Sequence, residues 1–216
     1  MTPKIIYEDN HVLVAVKPAG ILSQADISGA PDILTILKDY IKERDNKPGN
    51  VYLGLIHRLD RNVEGVMVFA KTSKAASRLS EQVRTRKVNK RYKAEVMGKV
   101  SPTKGALTNY LIKDEKRNTT TVYDKDPHKP EAKLSKLEYE VIGEGNIDGK
   151  ETTIVDIKLL TGRSHQIRSQ FAHIGHPLVG DVKYKGPAAG NKIRLKSYLI
   201  GFFHPTTKEY MEYTIT

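Results

Sequence analysis

Apolar and polar positions alternate along this chain in blocks that switch between strand and helix period. Ile5-Ile6-Tyr7, the polar turn Glu8-Asp9-Asn10 and His11-Val12-Leu13-Val14-Ala15-Val16 predict a β-hairpin. Its second strand is apolar on both faces, as a buried strand is. Lys17-Pro18-Ala19-Gly20 ends it. Behind Asp32, a good N-cap, Ile33, Leu34, Leu37, Tyr40 and Ile41 recur at helical spacing, and Asp45-Asn46-Lys47-Pro48-Gly49-Asn50 should stop that helix. A short strand from Val51 to Ile56 is expected next. The polar cluster His57-Arg58-Leu59-Asp60-Arg61 follows, and after Gly65 a strand from Val66 to Ala70. Thr72 or Ser73 can cap a helix with Ala75, Ala76, Leu79 and Val83 on one stripe.

The remainder predicts strands at Tyr92 to Val96, Leu134 to Ile142 and Ile154 to Leu160, the last after an Asp148-Gly149 turn signal. A helix of about ten residues should start near Ser164. A closing hairpin pairs Tyr198 to Phe203 with Glu209 to Ile215. With no repeat and no linker, residues 1–216 read as a single domain. Strands distant in sequence and interleaved with a few helices indicate a mixed α/β, that is α+β, domain around a large, mostly antiparallel sheet.

Charge changes this picture most. The 216 residues carry 36 Lys+Arg against 25 Asp+Glu, a formal net charge of +11. That excess favours a polyanionic partner, because cations that displace counterions from phosphates gain affinity without reading sequence; plain solubility is the simpler alternative. Cysteine is absent, which excludes disulfides, thiolate metal sites and Cys nucleophiles. No stretch approaches the roughly 18 apolar residues of a membrane span, and the N-terminus turns acidic before a signal sequence could form, so a soluble, cytoplasmic protein is expected.

Three segments concentrate polar residues that a core would not choose. In His57 to Arg61 the aspartate either caps a turn and pairs with its own arginines, or is a carboxylate kept ionised by guanidinium and mounted on a strand end to attack a substrate. Six Lys or Arg and no acid lie from Arg84 to Lys93. This is a solvated helix end favoured by the helix dipole, or, with Tyr92 near its end, a place where phosphates are held and a base is stacked. Thr161-Gly162-Arg163-Ser164-His165-Gln166-Ile167-Arg168 is a polar helix start capped by Thr161 or Ser164, or a set of guanidinium forks and backbone N–H groups suited to an anion. His165, His173 and His176 lack the carboxylate and spacing of a zinc site, so no metal is expected.

Together these segments resemble the RluA-type family of RNA pseudouridine synthases over most of the chain, from Lys17 to about His204. The resemblance rests on Lys17-Pro18-Ala19-Gly20; on His57-Arg58-Leu59-Asp60-Arg61 with Gly65 and the strand to Lys71; on Arg91-Tyr92-Lys93-Ala94; and on Leu160 to Arg168 with Gly175-His176-Pro177-Leu178-Val179-Gly180-Asp181. It implies the pseudouridine synthase fold, with an active-site cleft across the sheet, and isomerisation of uridines in rRNA or tRNA after base flipping. It implies no cofactor. Asp60 is then the nucleophile, Arg163 the arginine paired with it, and Tyr92 the residue that stacks on the flipped uracil. Arg58 fills the space left by the extruded nucleotide, and Ile167 supplies an apolar base contact.

The expected RNA-binding set is Arg58, Arg61, Arg84, Arg86, Lys87, Lys90, Arg91, His165, Gln166 and Arg168. Two departures touch loop shape and substrate choice: Val63-Glu64 where Thr-Ser is usual, and Lys185 between Tyr184 and Gly186 where Tyr-Gly is usual. With a first strand at Ile5, the N-terminal S4-like module of many relatives is not expected. The catalytic domain is therefore expected to recognise an rRNA or tRNA stem-loop by itself, as a monomer without an obligatory protein partner.

Overall fold

The computed structural model describes residues 2–190 and 192–216. In chain order the elements are β1 (Lys4–Glu8), β2 (Val12–Lys17), α1 (Ile33–Arg44), β3 (Gly54–Leu55), β4 (Glu64–Ala70), α2 (Ser73–Arg84), β5 (Asn89–Met97), β6 (Lys104–Asp114), β7 (Thr119–Tyr123), β8 (Lys133–Ile147), β9 (Lys150–Leu159), α3 (Gln166–His173), a 3₁₀ turn (Val182–Tyr184), β10 (Leu195–Phe203) and β11 (Tyr210–Thr214). Three α-helices and a large, mostly antiparallel set of strands make the chain α+β. It divides into two compact units, residues 2–89 with 197–216, and Lys90–Lys196. Among the described residues no helix is long and apolar enough to cross a membrane.

In the first unit the strands run in the order β1-β2-β4-β10, with β3 against β4 and β11 against β10. β2 and β4 are buried on both faces, which is why their sequences are apolar without alternation. Val12, Val14, Val66 and Val68 pack with Ala75 and Leu79 of α2 and with Phe202 of β10. Each such fully buried aliphatic side chain contributes roughly 1.5–3 kcal/mol. Both helices start where expected: Asp32 accepts the Thr35 N–H (2.9 Å) and Thr72 accepts the Ala75 N–H (3.1 Å).

The second unit is an antiparallel meander in the order β5-β9-β8-β6-β7. β8 and β9 are joined by the Asp148-Gly149 turn, both residues at positive φ (50° and 77°), as a tight hairpin turn requires. α3 lies against β6 and β7.

Several sequence expectations are corrected. The strand from Val51 to Ile56 shrinks to Gly54–Leu55, because β2 takes the whole of one edge of β4 and β10 part of the other, leaving partners at Phe69 and Ala70. Gly65 lies inside β4 and does not precede it. α3 has 8 residues, and neither Thr161 nor Ser164 caps it; the cap position is His165, in the left-handed region (φ 51°) with no side-chain cap bond. The β6–β7 hairpin escaped notice, since its strands are largely exposed on one face and carry Lys, Thr and Asn in place of a clear apolar run.

Gly65 shows why a strand interior holds a glycine here. A Cβ at that position would lie 2.4 Å from the Ser197 Cβ and 2.7 Å from its carbonyl oxygen on β10. Gly65→Ala is therefore expected to destabilise the protein by roughly 1–3 kcal/mol, the cost of forcing a methyl into a filled site. Chemical denaturation of the variant beside the wild type checks this.

Candidate active site

Asp60 is half-buried on the loop between β3 and β4, and that loop is pinned at both ends. The Ser23 hydroxyl donates to the Leu59 carbonyl (2.8 Å) and accepts the Leu59 N–H (2.9 Å), so one side chain replaces a strand partner. Lys17 closes the other side. It is fully buried, and its ammonium donates to the carbonyls of Pro18 (2.9 Å), Ile21 (2.7 Å) and Arg61 (3.1 Å). Arg61 in turn donates its Nε–H to the Gly20 carbonyl (3.0 Å), and the Gly20 N–H donates to the Arg61 carbonyl (2.8 Å). The Lys17-Pro18-Ala19-Gly20 stretch is thus a brace for the residues that flank Asp60.

Burial pushes the Lys17 ammonium down to about 8, while the negative charges of Asp60 and Glu64 act to hold its proton. Glu64, a departure from the usual sequence, consequently has an electrostatic role beside a buried cation. Arg58 is exposed two residues before Asp60, and His57 accepts the Val68 N–H through Nε2 (3.3 Å).

In the second unit Tyr92 is buried on β5, paired with Ile157 of β9. Arg163 is exposed on the loop before α3, with Nε 3.4 Å from the Leu134 carbonyl. Gln166 forms the floor of that loop. Its side-chain oxygen accepts the Thr161 hydroxyl (2.8 Å) and the Arg163 N–H (3.1 Å), and its amide donates to the Lys136 carbonyl (3.1 Å). Gly162 leaves room for Lys90: a Cβ there would stand 3.1 Å from the Lys90 Nζ. Burial lowers the pKa of that ammonium.

The remaining candidates divide by exposure. Arg86 and Lys87 are exposed after α2, while exposed Arg84 pairs with Glu81 (2.6 Å), a surface pair of small energetic worth. Arg91 pairs with Asp156 of β9 (2.6 Å). Gln166, Ile167 and Arg168 of α3, and His165 before it, are buried. Arg168 is bidentate to the fully buried Asp181 (2.7 and 2.8 Å), the pairing a buried guanidinium requires. The pairing was missed because Asp181 lies thirteen residues from Arg168, beyond any helical or strand spacing. Two features of the sequence single out Lys17: it closes an unbroken apolar run and opens the Lys17-Pro18-Ala19-Gly20 segment.

Comparison with known proteins agrees with this architecture. Human RNA pseudouridylate synthase domain containing 1 superposes with a TM-score of 0.78 over 99% of this chain and 83% of its own, at 23% identity, which establishes the fold. The family model for RNA pseudouridylate synthase matches residues 11–173. The dual-specificity RNA pseudouridine synthase RluA of Salmonella typhi is 32% identical over 98% of this chain and 91% of its own length. An uncharacterized RNA pseudouridine synthase of Aquifex aeolicus is 34% identical over 98% of this chain and 68% of its own. Ribosomal large subunit pseudouridine synthase C of Buchnera aphidicola is 34% identical over 95% of this chain, which spans 64% of that relative. The chain belongs to the RNA pseudouridylate synthase family of isomerases, and to its RluA type.

Lys17 makes a prediction about pH. The unfolded lysine holds its proton up to about 10.5 and the folded one releases it at about 8, so between these values unfolding takes up a proton and rising pH favours the fold. The stability of the wild type relative to Lys17→Met is expected to rise by up to about 3 kcal/mol across that interval. Paired urea titrations of the two proteins at successive pH values measure the difference.

Proposed function

We propose that this protein converts particular uridines of ribosomal or transfer RNA to pseudouridine, with Asp60 as the nucleophile. The observation that carries the proposal is the double brace around the half-buried Asp60, where Ser23 and the buried Lys17 hold the backbone on both sides of it. A nucleophile gains rate when its geometry is set before substrate arrives. The reaction breaks the C1′–N1 bond, rotates the uracil and forms C1′–C5. The C5 proton is lost and N1 takes one up, so no electrons leave the substrate and no cofactor is called for.

In this proposal the target base leaves its stack to reach the enzyme, at a cost of a few kcal/mol, and Arg58 occupies the space left behind. Tyr92 stacks on the uracil and assists removal of the C5 proton, and Arg163 keeps the Asp60 carboxylate ionised and oriented. The phosphates meet the exposed Arg58, Arg61, Arg86 and Lys87, together with Lys90 over Gly162. Arg168 and Gln166 leave the RNA-contact set, since their polar atoms are committed within the fold.

Mapping pseudouridine in ribosomal and transfer RNA from cells lacking the protein, then adding wild type or Asp60→Ala to that RNA with a chelator present, tests the proposal. A site restored by the wild type alone is the expected outcome. Equal restoration by Asp60→Ala, or none by either, rejects it. Tyr92→Phe keeps the stacking face and removes the hydroxyl, so it is expected to retain RNA affinity while losing rate by 10²-fold or more, on the order of a general-base contribution. If about six cations contact phosphates, the log–log dependence of affinity on salt should have a slope of roughly −4 to −5. Filter binding across a salt series reads it.

A further inference from the structure

Two groups outside the catalytic set, Thr120 and Tyr184, also hold the residues that follow Arg163. The Tyr184 hydroxyl oxygen accepts the Thr120 N–H of β7 (2.7 Å) and stands 2.9 Å from Nδ1 of His165. The Thr120 hydroxyl donates to the Ser164 carbonyl (3.0 Å). His165 is the residue whose backbone lies in the left-handed region, where a side chain other than glycine sits at a cost unless its surroundings hold it. It follows Arg163 by two residues and precedes α3 directly, so its backbone angles set the direction in which the Arg163 segment leaves the helix.

We propose that the Tyr184 hydroxyl is a positioning group for Arg163, acting by holding His165 left-handed and joining the Arg163 loop to the edge of β7. The proposal rests on the catalytic role assigned to Arg163 above. Burial raises the Tyr184 pKa, so at neutral pH the hydroxyl keeps a proton to give as well as lone pairs to accept. With one lone pair taken by the Thr120 N–H, the hydroxyl stays within hydrogen-bond reach of Nδ1 of His165. The ring of Tyr184 has a separate structural contact: the Arg168 guanidinium lies 5.2 Å from its centroid while remaining paired with Asp181. The hydroxyl can therefore be removed without removing the packing.

The extra residue Lys185 fits this arrangement. It adopts φ 67° at the end of the 3₁₀ turn, and Gly186 then passes so close to the Leu178 carbonyl that a Cβ would lie 2.0 Å from it. The chain absorbs one additional residue in a single left-handed step, and Tyr184 still reaches both Thr120 and His165.

Tyr184→Phe is the test, with Thr120→Val as a second variant that removes the bond to Ser164. Single-turnover rate and KM are measured on the target RNA, and hydrogen exchange of the Arg163 amide is followed with no RNA present. Tyr184→Phe is expected to lower the rate about tenfold, the kinetic equivalent of one hydrogen bond, with KM within about twofold. The Arg163 amide, which donates to Gln166, should exchange faster in both variants. In a His165→Gly background, where the left-handed backbone needs no support, Tyr184→Phe should cost less than about twofold further.

An unchanged rate in Tyr184→Phe, or the same tenfold loss in the glycine background, overturns the proposal, because a merely structural hydroxyl would act independently of residue 165. A wild type that makes no pseudouridine rejects the proposed function instead. The exchange measurement then decides the clamp alone: faster Arg163 exchange in Tyr184→Phe supports it, and unchanged exchange overturns it.

Discussion

Backbone carbonyls and N–H groups that leave a buried strand must find partners, and in this protein that requirement shapes both loops that carry the proposed catalytic residues. Around Asp60 the partners are Ser23 and the ammonium of Lys17. Around Arg163 they are Gln166, with Thr161 and Lys136, and Thr120 with Tyr184. In each case a polar side chain substitutes for a missing strand neighbour. The backbone of each loop is thereby hydrogen-bonded much as a strand's is, with Asp60 half-buried and Arg163 exposed.

A buried cation is a costly way to supply hydrogen bonds. Lys17 is tolerated because it meets three carbonyls and the fields of Asp60 and Glu64, so its charge is both solvated by the backbone and compensated. The same logic appears in the second unit, where Arg168 and Asp181 are buried together. A protein with a net charge of +11 thus spends some of its cations on its own architecture and offers others to solvent. Arg58, Arg86 and Lys87 are of the second kind, whereas Arg84 and Arg91 are partly neutralised by Glu81 and Asp156. The electrostatic surface for a polyanion is consequently smaller than the sequence count of arginines and lysines.

Family membership fits this division. A base-modifying enzyme needs a nucleophile and a stacking aromatic in fixed places, and a diffuse set of cations for the backbone of its substrate. Fixed placement is provided by buried polar clips on antiparallel strands. Diffuse attraction comes from exposed cations such as Arg58, Arg86 and Lys87.

The local pattern of the chain determined the first hairpin, both capped helices, the long strands β8 and β9 and the closing hairpin, because each has a self-contained signal: alternation, helical stripe, Asp or Thr cap, Asp-Gly turn. The ordered segments around Asp60, Tyr92 and Arg163 also sufficed to indicate the family. What tertiary structure decided was which polar residues face outward. Nothing local in Gln166-Ile167-Arg168 says that the glutamine floors a loop, or that the arginine seeks Asp181, since both partnerships form across distances no period spans. The β6–β7 hairpin was illegible for a related reason: its polar strands acquire their place by pairing with β8 and lying under α3. Propensity is a property of neighbours in sequence, whereas the fate of a buried charge or an exposed strand is set by neighbours in space.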